Sequence, residues 1–157
     1  MEREHDTVKK MWTDYLGFIE EDIENTEKTY SSWYFGGDKN SANNLADLVM
    51  KGTKRGTTSL YYFYELENDP LPKKGDFSII TDYSGTAQCV IETTKVTVLP
   101  FKEVTEELAF IEGEGDKSLD YWKRAHISFF TKELEEEGKK FSEDMLVVFE
   151  EFKVVYK

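Results

Sequence analysis

Val8, Met11, Trp12, Tyr15, Leu16, Ile19 and Ile23 recur at three- and four-residue steps with acids between them, which predicts an amphipathic helix over about residues 6–24. Residues 29–44 are rich in Ser, Gly and Asn and read as loop around the aromatic run Trp33-Tyr34-Phe35. A short helix is expected over 44–50, with Leu45, Leu48 and Val49 on one side and Gly52 as its stop. The signal over 57–66 is mixed: Thr57-Thr58-Ser59 favours a strand, and the apolar run from Leu60 either continues it or turns helical. Pro70, Pro72 and Gly75 break whatever forms there. Residues 77–81 and 87–99 then read as an antiparallel hairpin joined at Asp82-Tyr83-Ser84-Gly85. A helix over 104–110 is interrupted by Gly113 and Gly115. Asp116 or Ser118 can cap a longer one that carries Leu119, Trp122, His126, Phe129, Phe130 and Leu134, with Gly138 closing it. From Met145 to Tyr156 the composition is that of a strand. Helix, helix, strands, helix, helix, strand is an α+β order, not an alternating βαβ one.

With no repeat, low-complexity tract or linker, the 157 residues read as a single domain. Aromatics reach 15%, so the expected core is built on Trp, Tyr and Phe as much as on aliphatics. A net charge of −12 argues against non-specific binding to duplex DNA, because such a surface repels polyanions. The charge is uneven: residues 1–50 carry net −6 and 103–157 net −7, whereas 51–102 carry net +1. An anion site, if there is one, belongs in that middle third. The lone Cys89 cannot form an internal disulfide, and the start Met1-Glu2-Arg3-Glu4-His5-Asp6 is too polar for a signal peptide. No apolar run approaches a membrane span, so the cytoplasm is the expected location and no membrane partner is expected.

Two segments could carry chemistry. The first is Lys51-Gly52-Thr53-Lys54-Arg55-Gly56-Thr57-Thr58, where cations, glycines and hydroxyls could serve one anion. It lacks the P-loop spacing, and by spacing alone the commoner reading is a basic helix end placed favourably on the helix dipole. The second is Glu112-Gly113-Glu114-Gly115-Asp116, whose alternate carboxylates could hold a metal or exchange protons. It is too short for a calcium EF-hand, and the commoner reading is a solvated turn feeding a helix cap. His126, on an apolar stripe beside Trp122, reads as a hydrogen-bonded core residue; no partner cluster points to a metal, and no cofactor is expected. Tyr61, Tyr62 and Tyr64 could stack a base, though packing is the commoner job.

Six segments in register resemble the ASCH family, whose fold is related to the PUA domain. They are Leu45-Ala46-Asp47-Leu48-Val49; Gly52 to Ser59; Pro72-Lys73-Lys74-Gly75-Asp76; Cys89 to Thr94; Glu112 to Leu119 with Trp122, His126 and Phe129-Phe130; and the strand ending Phe152-Lys153-Val154-Val155-Tyr156. The likeness runs from about Trp33 to the C-terminus and is similar to the larger bacterial branch, which leaves the region of residues 1–30 as an N-terminal helical extension. The resemblance implies a small β-barrel ringed by helices, with a cleft for RNA or a nucleotide. It places a Gly-x-Lys-x-x-Thr motif on Gly52, Lys54 and Thr57 at the mouth of that cleft.

Some small members of the family resemble amidohydrolases that remove an acyl group from a modified cytidine with a Lys, a Thr and a Glu, and other relatives are linked to RNA cleavage. Carried across, these are Lys54, Thr57 and Glu112, with Glu114 and Asp116 as close competitors for the third role. Two expectations follow. One is a hydrolase in which Thr57 attacks, Lys54 is base or anion-stabilising cation, and Glu112 orients or relays a proton. The other is a binding module in which Lys54 and Arg55 meet phosphate and Trp33, Tyr61 or Trp122 stacks a base. Gly52, Thr58, Glu114, Asp116 and His126 complete the expected ligand-binding set. The first helix either covers the cleft or forms a homodimer surface.

Overall fold

The computed structural model describes residues 3–157, so Met1 and Glu2 of the polar start lie outside the described residues. In chain order the elements are α1 (Asp6–Phe18), β1 (Tyr30–Trp33), α2 (Lys39–Met50), β2 (Gly56–Leu60), α3 (Tyr61–Leu66), β3 (Phe77–Thr81), β4 (Ala87–Pro100), a 3-10 turn (Phe101–Glu103), α4 (Glu106–Glu112), α5 (Leu119–Glu135) and β5 (Leu146–Tyr156). The strands form one mixed five-stranded sheet in the order β1-β3-β4-β5-β2. Among the described residues it runs from edge β1 to edge β2 without closing, so the architecture is α+β with an open sheet where the resemblance implied a barrel. No helix among the described residues is long and apolar enough to cross a membrane.

The chain divides into two compact units: Met1–Gly52 with Lys73–Thr94 and Phe152–Lys157, and Thr53–Pro72 with Lys95–Glu151. In the first, α1 ends six residues before its expected limit. Glu20 turns left-handed (φ 62°) and the Glu21 N–H reaches back to the Leu16 carbonyl at 2.8 Å, a helix stop that hydrophobic spacing does not reveal. Its buried face, Val8, Trp12, Tyr15 and Leu16, packs with Ile79 and Val90. The Ser-rich stretch read as loop contains β1, which pairs in parallel with β3 from Tyr30↔Phe77 to Trp33↔Ile80. Helix α2 starts at Lys39, earlier than expected, because Asp38 caps it by accepting from the Ser41 N–H at 2.8 Å. The β3–β4 hairpin is antiparallel with Phe77 opposite Glu92.

In the second unit the ambiguous 57–66 stretch is both things in turn, β2 and then α3. β2 pairs antiparallel with β5, from Gly56↔Glu151 to Leu60↔Val147. Leu60, Phe101, Val104, Ala109, Trp122, Phe130, Leu134 and Val147 make the core of this unit. Helix α5 is capped by Ser118, whose side chain accepts from the Tyr121 N–H at 3.1 Å. Replacing Ser118 with Ala should cost about 1 kcal/mol, the usual worth of a cap, and lower the melting temperature by about 2–4 °C in a chain of this size. Thermal unfolding of S118A checks this; an unchanged transition would show that the cap carries no stability.

Candidate functional site

The site residues of the second unit are gathered by three backbone devices. Helix α4 ends at Gly113 in the left-handed conformation (φ 75°), and a Cβ there would lie 2.1 Å from the Thr53 carbonyl oxygen, so only glycine lets the acidic loop lie against the Lys54 turn. The Arg55 N–H donates to the Ile111 carbonyl at 2.9 Å and locks the two segments together. Gly115 (φ 57°) passes so close to the Tyr121 ring that an added Cβ would sit 2.5 Å from it.

At the centre lies the Glu112 carboxylate, 2% exposed. Its Oε1 accepts from Thr58 Oγ1 at 2.6 Å and from the Trp122 indole Nε1 at 2.8 Å. Its Oε2 accepts from His126 Nε2 at 3.0 Å and from Lys54 Nζ at 3.4 Å. Four donors thus surround a carboxylate that has about four lone-pair positions. Lys54, equally buried, also donates to the Gly56 carbonyl at 2.7 Å and pairs with Glu114 at 3.6 Å. Glu114, its side chain 20% exposed, is the partner of this set nearest solvent.

The charge state of His126 follows from its partners. Nδ1 meets the Trp122 carbonyl at 2.8 Å and Nε2 meets the carboxylate, and both of these oxygens only accept. Both ring nitrogens therefore carry protons, and the imidazolium stacks on the Trp122 indole with centroids 4.2 Å apart. Burial alone would lower the His126 pKa; the adjacent Glu112 charge overcomes it and holds the value above 6.5. Burial likewise works to raise Glu112, yet the His126 and Lys54 charges hold it well below the usual carboxylate range. Glu114 is pushed up, by burial first and by the Glu112 charge and a hydrogen bond to it, against the pull of Lys54.

Ligand-type atoms of Glu112, Glu114 and His126 lie within 4.8 Å of one another, a spacing that a divalent ion could use. With both His126 nitrogens donating and the Lys54 amine among the carboxylates, however, the ring has no free lone pair for a metal, and side chains supply the positive charge.

The structure thus brings Lys54, Glu112, Glu114, Thr58, Trp122 and His126 together. Thr57 is not among them. Strand side chains alternate, so the hydroxyl that reaches Glu112 is that of Thr58, while Thr57 sits half-buried on the opposite face. Arg55 is exposed, and Asp116 is an exposed turn residue accepting from the Ser118 N–H at 2.9 Å. Tyr61 is half-buried at the start of α3. Gly52 (φ 78°) and Trp33 belong to the first unit, where the Trp33 ring packs edge-on against Phe35 at 4.7 Å. An open polar recess of about 690 Å³ in that unit, lined by Glu21, Lys28, Lys73 and Asp76 among others, contains none of the candidate residues. Sequence reading passed over Glu150, a carboxylate only 9% exposed in the middle of β5; an acid inside an apolar strand was the available signal.

The family model of the ASCH domain matches residues 31–156. The chain belongs to the ASCH family. An ASCH domain from Lactobacillus crispatus JV V101 is 38% identical with a TM-score of 0.90, covering 100% of this chain and 99% of that one. A protein of Enterococcus faecalis V583 is 35% identical with a TM-score of 0.85, covering 96% of this chain and 88% of that one. A hypothetical protein at 19% identity and TM-score 0.55, covering 81% of this chain and 100% of that one, shares the fold. No curated protein matches. In this ASCH domain the matched region spans all the residues of the Glu112 network.

The pKa directions give the network a pH signature. The Glu112 contribution is present above the ordinary carboxylate value of 4.5 and is lost as pH falls through its lower folded value. The His126 contribution is complete below 6.5 and is lost as pH rises through its higher folded value. The stability difference between wild type and His126→Gln should therefore shrink as pH rises past the histidine range. Denaturant unfolding of both proteins over a pH series checks this, and a difference that stays constant would mean that His126 is not charged in the fold.

Proposed function

We propose that this ASCH domain binds RNA or a nucleotide at the segment that carries Lys54, Arg55 and Thr57. RNA binding is the general property of ASCH domains. The observation that carries the reading is the buried ion network behind the motif. An ion pair inside a core can often be replaced by apolar residues without loss of stability, so Lys54 and Glu112 at 2% exposure point to a role besides stability. Titratable groups clustered on a family motif, with Glu112 held well below the usual carboxylate range, are what a binding or reacting site provides. Arg55, exposed at the start of β2, is the cation free to meet a phosphate. Net charge −12 disfavours long duplexes and selects a short or single-stranded ligand.

Hydrolysis of a modified nucleoside or of RNA is the second reading. It is favoured by the half-exposure of Thr57 in β2, since a nucleophilic hydroxyl has to be reachable. In that reading Lys54 is a fixed cation behind β2 and not the base, because its amine is engaged by Gly56, Glu112 and Glu114.

One experiment addresses both. Anisotropy with a labelled single-stranded RNA should show salt-dependent binding, and Arg55→Ala should weaken it while reducing the salt slope by about 1 and leaving the melting temperature unchanged. Equal, salt-insensitive affinity for random duplex DNA would refute the binding reading. Mass spectrometry of the same mixtures, extended to a panel of acylated nucleosides, should register mass loss if the domain turns its ligand over; unchanged masses throughout would remove the hydrolase reading.

A further inference from the structure

β2 presents two different walls. Gly56, Thr58 and Leu60 are buried on the side of the Glu112 network, and Thr57 and Ser59 are half-exposed on the other. The register with β5 sets Thr57 opposite Glu150 and Ser59 opposite Val148. Directly opposed residues of an antiparallel pair share a face, with Cβ atoms about 4.5–5.5 Å apart. Tyr64, from α3, joins the same wall: its phenol meets Ser59 Oγ at 2.9 Å. The Tyr64 pKa is raised by burial, and the Glu150 charge adds to that rise against the Ser59 bond. Glu112 is out of reach of Thr57 here, since its Oε1 is taken by Thr58 from the opposite face.

Access separates the walls further. Lys54 and Glu112 are each 2% exposed, whereas Thr57, Ser59 and Tyr64 on the other wall are half-buried, with Glu150 beneath them at 9%. A carboxylate only accepts hydrogen bonds and repels phosphate, so this wall suits a neutral group rich in donors. We propose that Glu150, and not Glu112, is the carboxylate that works with Thr57, and that their shared face holds the uncharged, hydrogen-bond-donating part of a nucleoside, a ribose hydroxyl or an exocyclic amino group. Glu112 is then a positioning residue, holding β2 from behind through Thr58. This assignment rests on the nucleotide reading above and adds to it the face and the partner.

The test is a double-mutant cycle with labelled mixed-sequence RNA and DNA hexanucleotides. Glu150→Gln and Thr57→Val should each weaken RNA binding by about tenfold, and the double variant should lose little more than either alone, because the two groups serve one contact. Thr57→Val, at a half-exposed position, reports on binding without removing a buried charge. A loss seen with RNA and absent with DNA assigns the ribose hydroxyl; equal losses with both assign the base amino group. Wild type that binds neither probe removes the nucleotide reading and this assignment with it. Wild-type binding that survives both single variants, or losses that simply add, overturns the Glu150 assignment alone.

Discussion

One ionised carboxylate organises the second unit of this domain. Glu112 is inaccessible to water, and an unpaired buried charge costs several kcal/mol, so the structure surrounds it with donors from three directions. Thr58 comes from β2, Lys54 from the turn before it, and Trp122 and His126 from α5. Losing one donor leaves the others facing a poorly compensated charge. The backbone is therefore committed as well: Gly113 must be glycine for the loop to reach Thr53, and the Arg55–Ile111 bond fixes the distance between the segments.

Lysine and histidine share the charge unequally. His126 is held cationic by two acceptors, one a backbone carbonyl that cannot be titrated away. Glu114 is raised where Glu112 is lowered, and its side chain is the one of the pair that solvent reaches. Two neighbouring carboxylates with opposite displacements are set apart as acid and base by their surroundings. Under the proposed function this charged network lies behind β2, and the ligand lies in front.

Much of the fold could be read from residue patterns because the relevant signals are local. The β3–β4 hairpin has a turn sequence between two β-rich runs, β5 is apolar nearly throughout, and Ser118 stands at the head of a periodic stripe. β1 could not be read this way. It has four residues, two of them serine, and becomes a strand only through parallel pairing with β3, more than forty residues away in sequence. The sheet's failure to close is likewise a tertiary fact. At the site, the resemblance to the ASCH family, and not the spacing, implied that Lys54 and Glu112 share one cleft, and they meet at 3.4 Å; neighbouring threonines, however, look alike in sequence. Only the phase of β2 shows that Thr58 faces the carboxylate and Thr57 faces away, towards Glu150. His126 carried no sign of its charge, because that depends on which acceptors happen to meet each ring nitrogen.

The account depends most on the ionic form of the Glu112–His126 pair, and the nitrogen resonances of the His126 ring report it directly. A nitrogen-15 spectrum of the side chain at neutral pH should show Nδ1 and Nε2 both protonated. A neutral ring with one bare nitrogen would contradict it. Glu112 would then hold the proton, and the network would not be the charged centre described above.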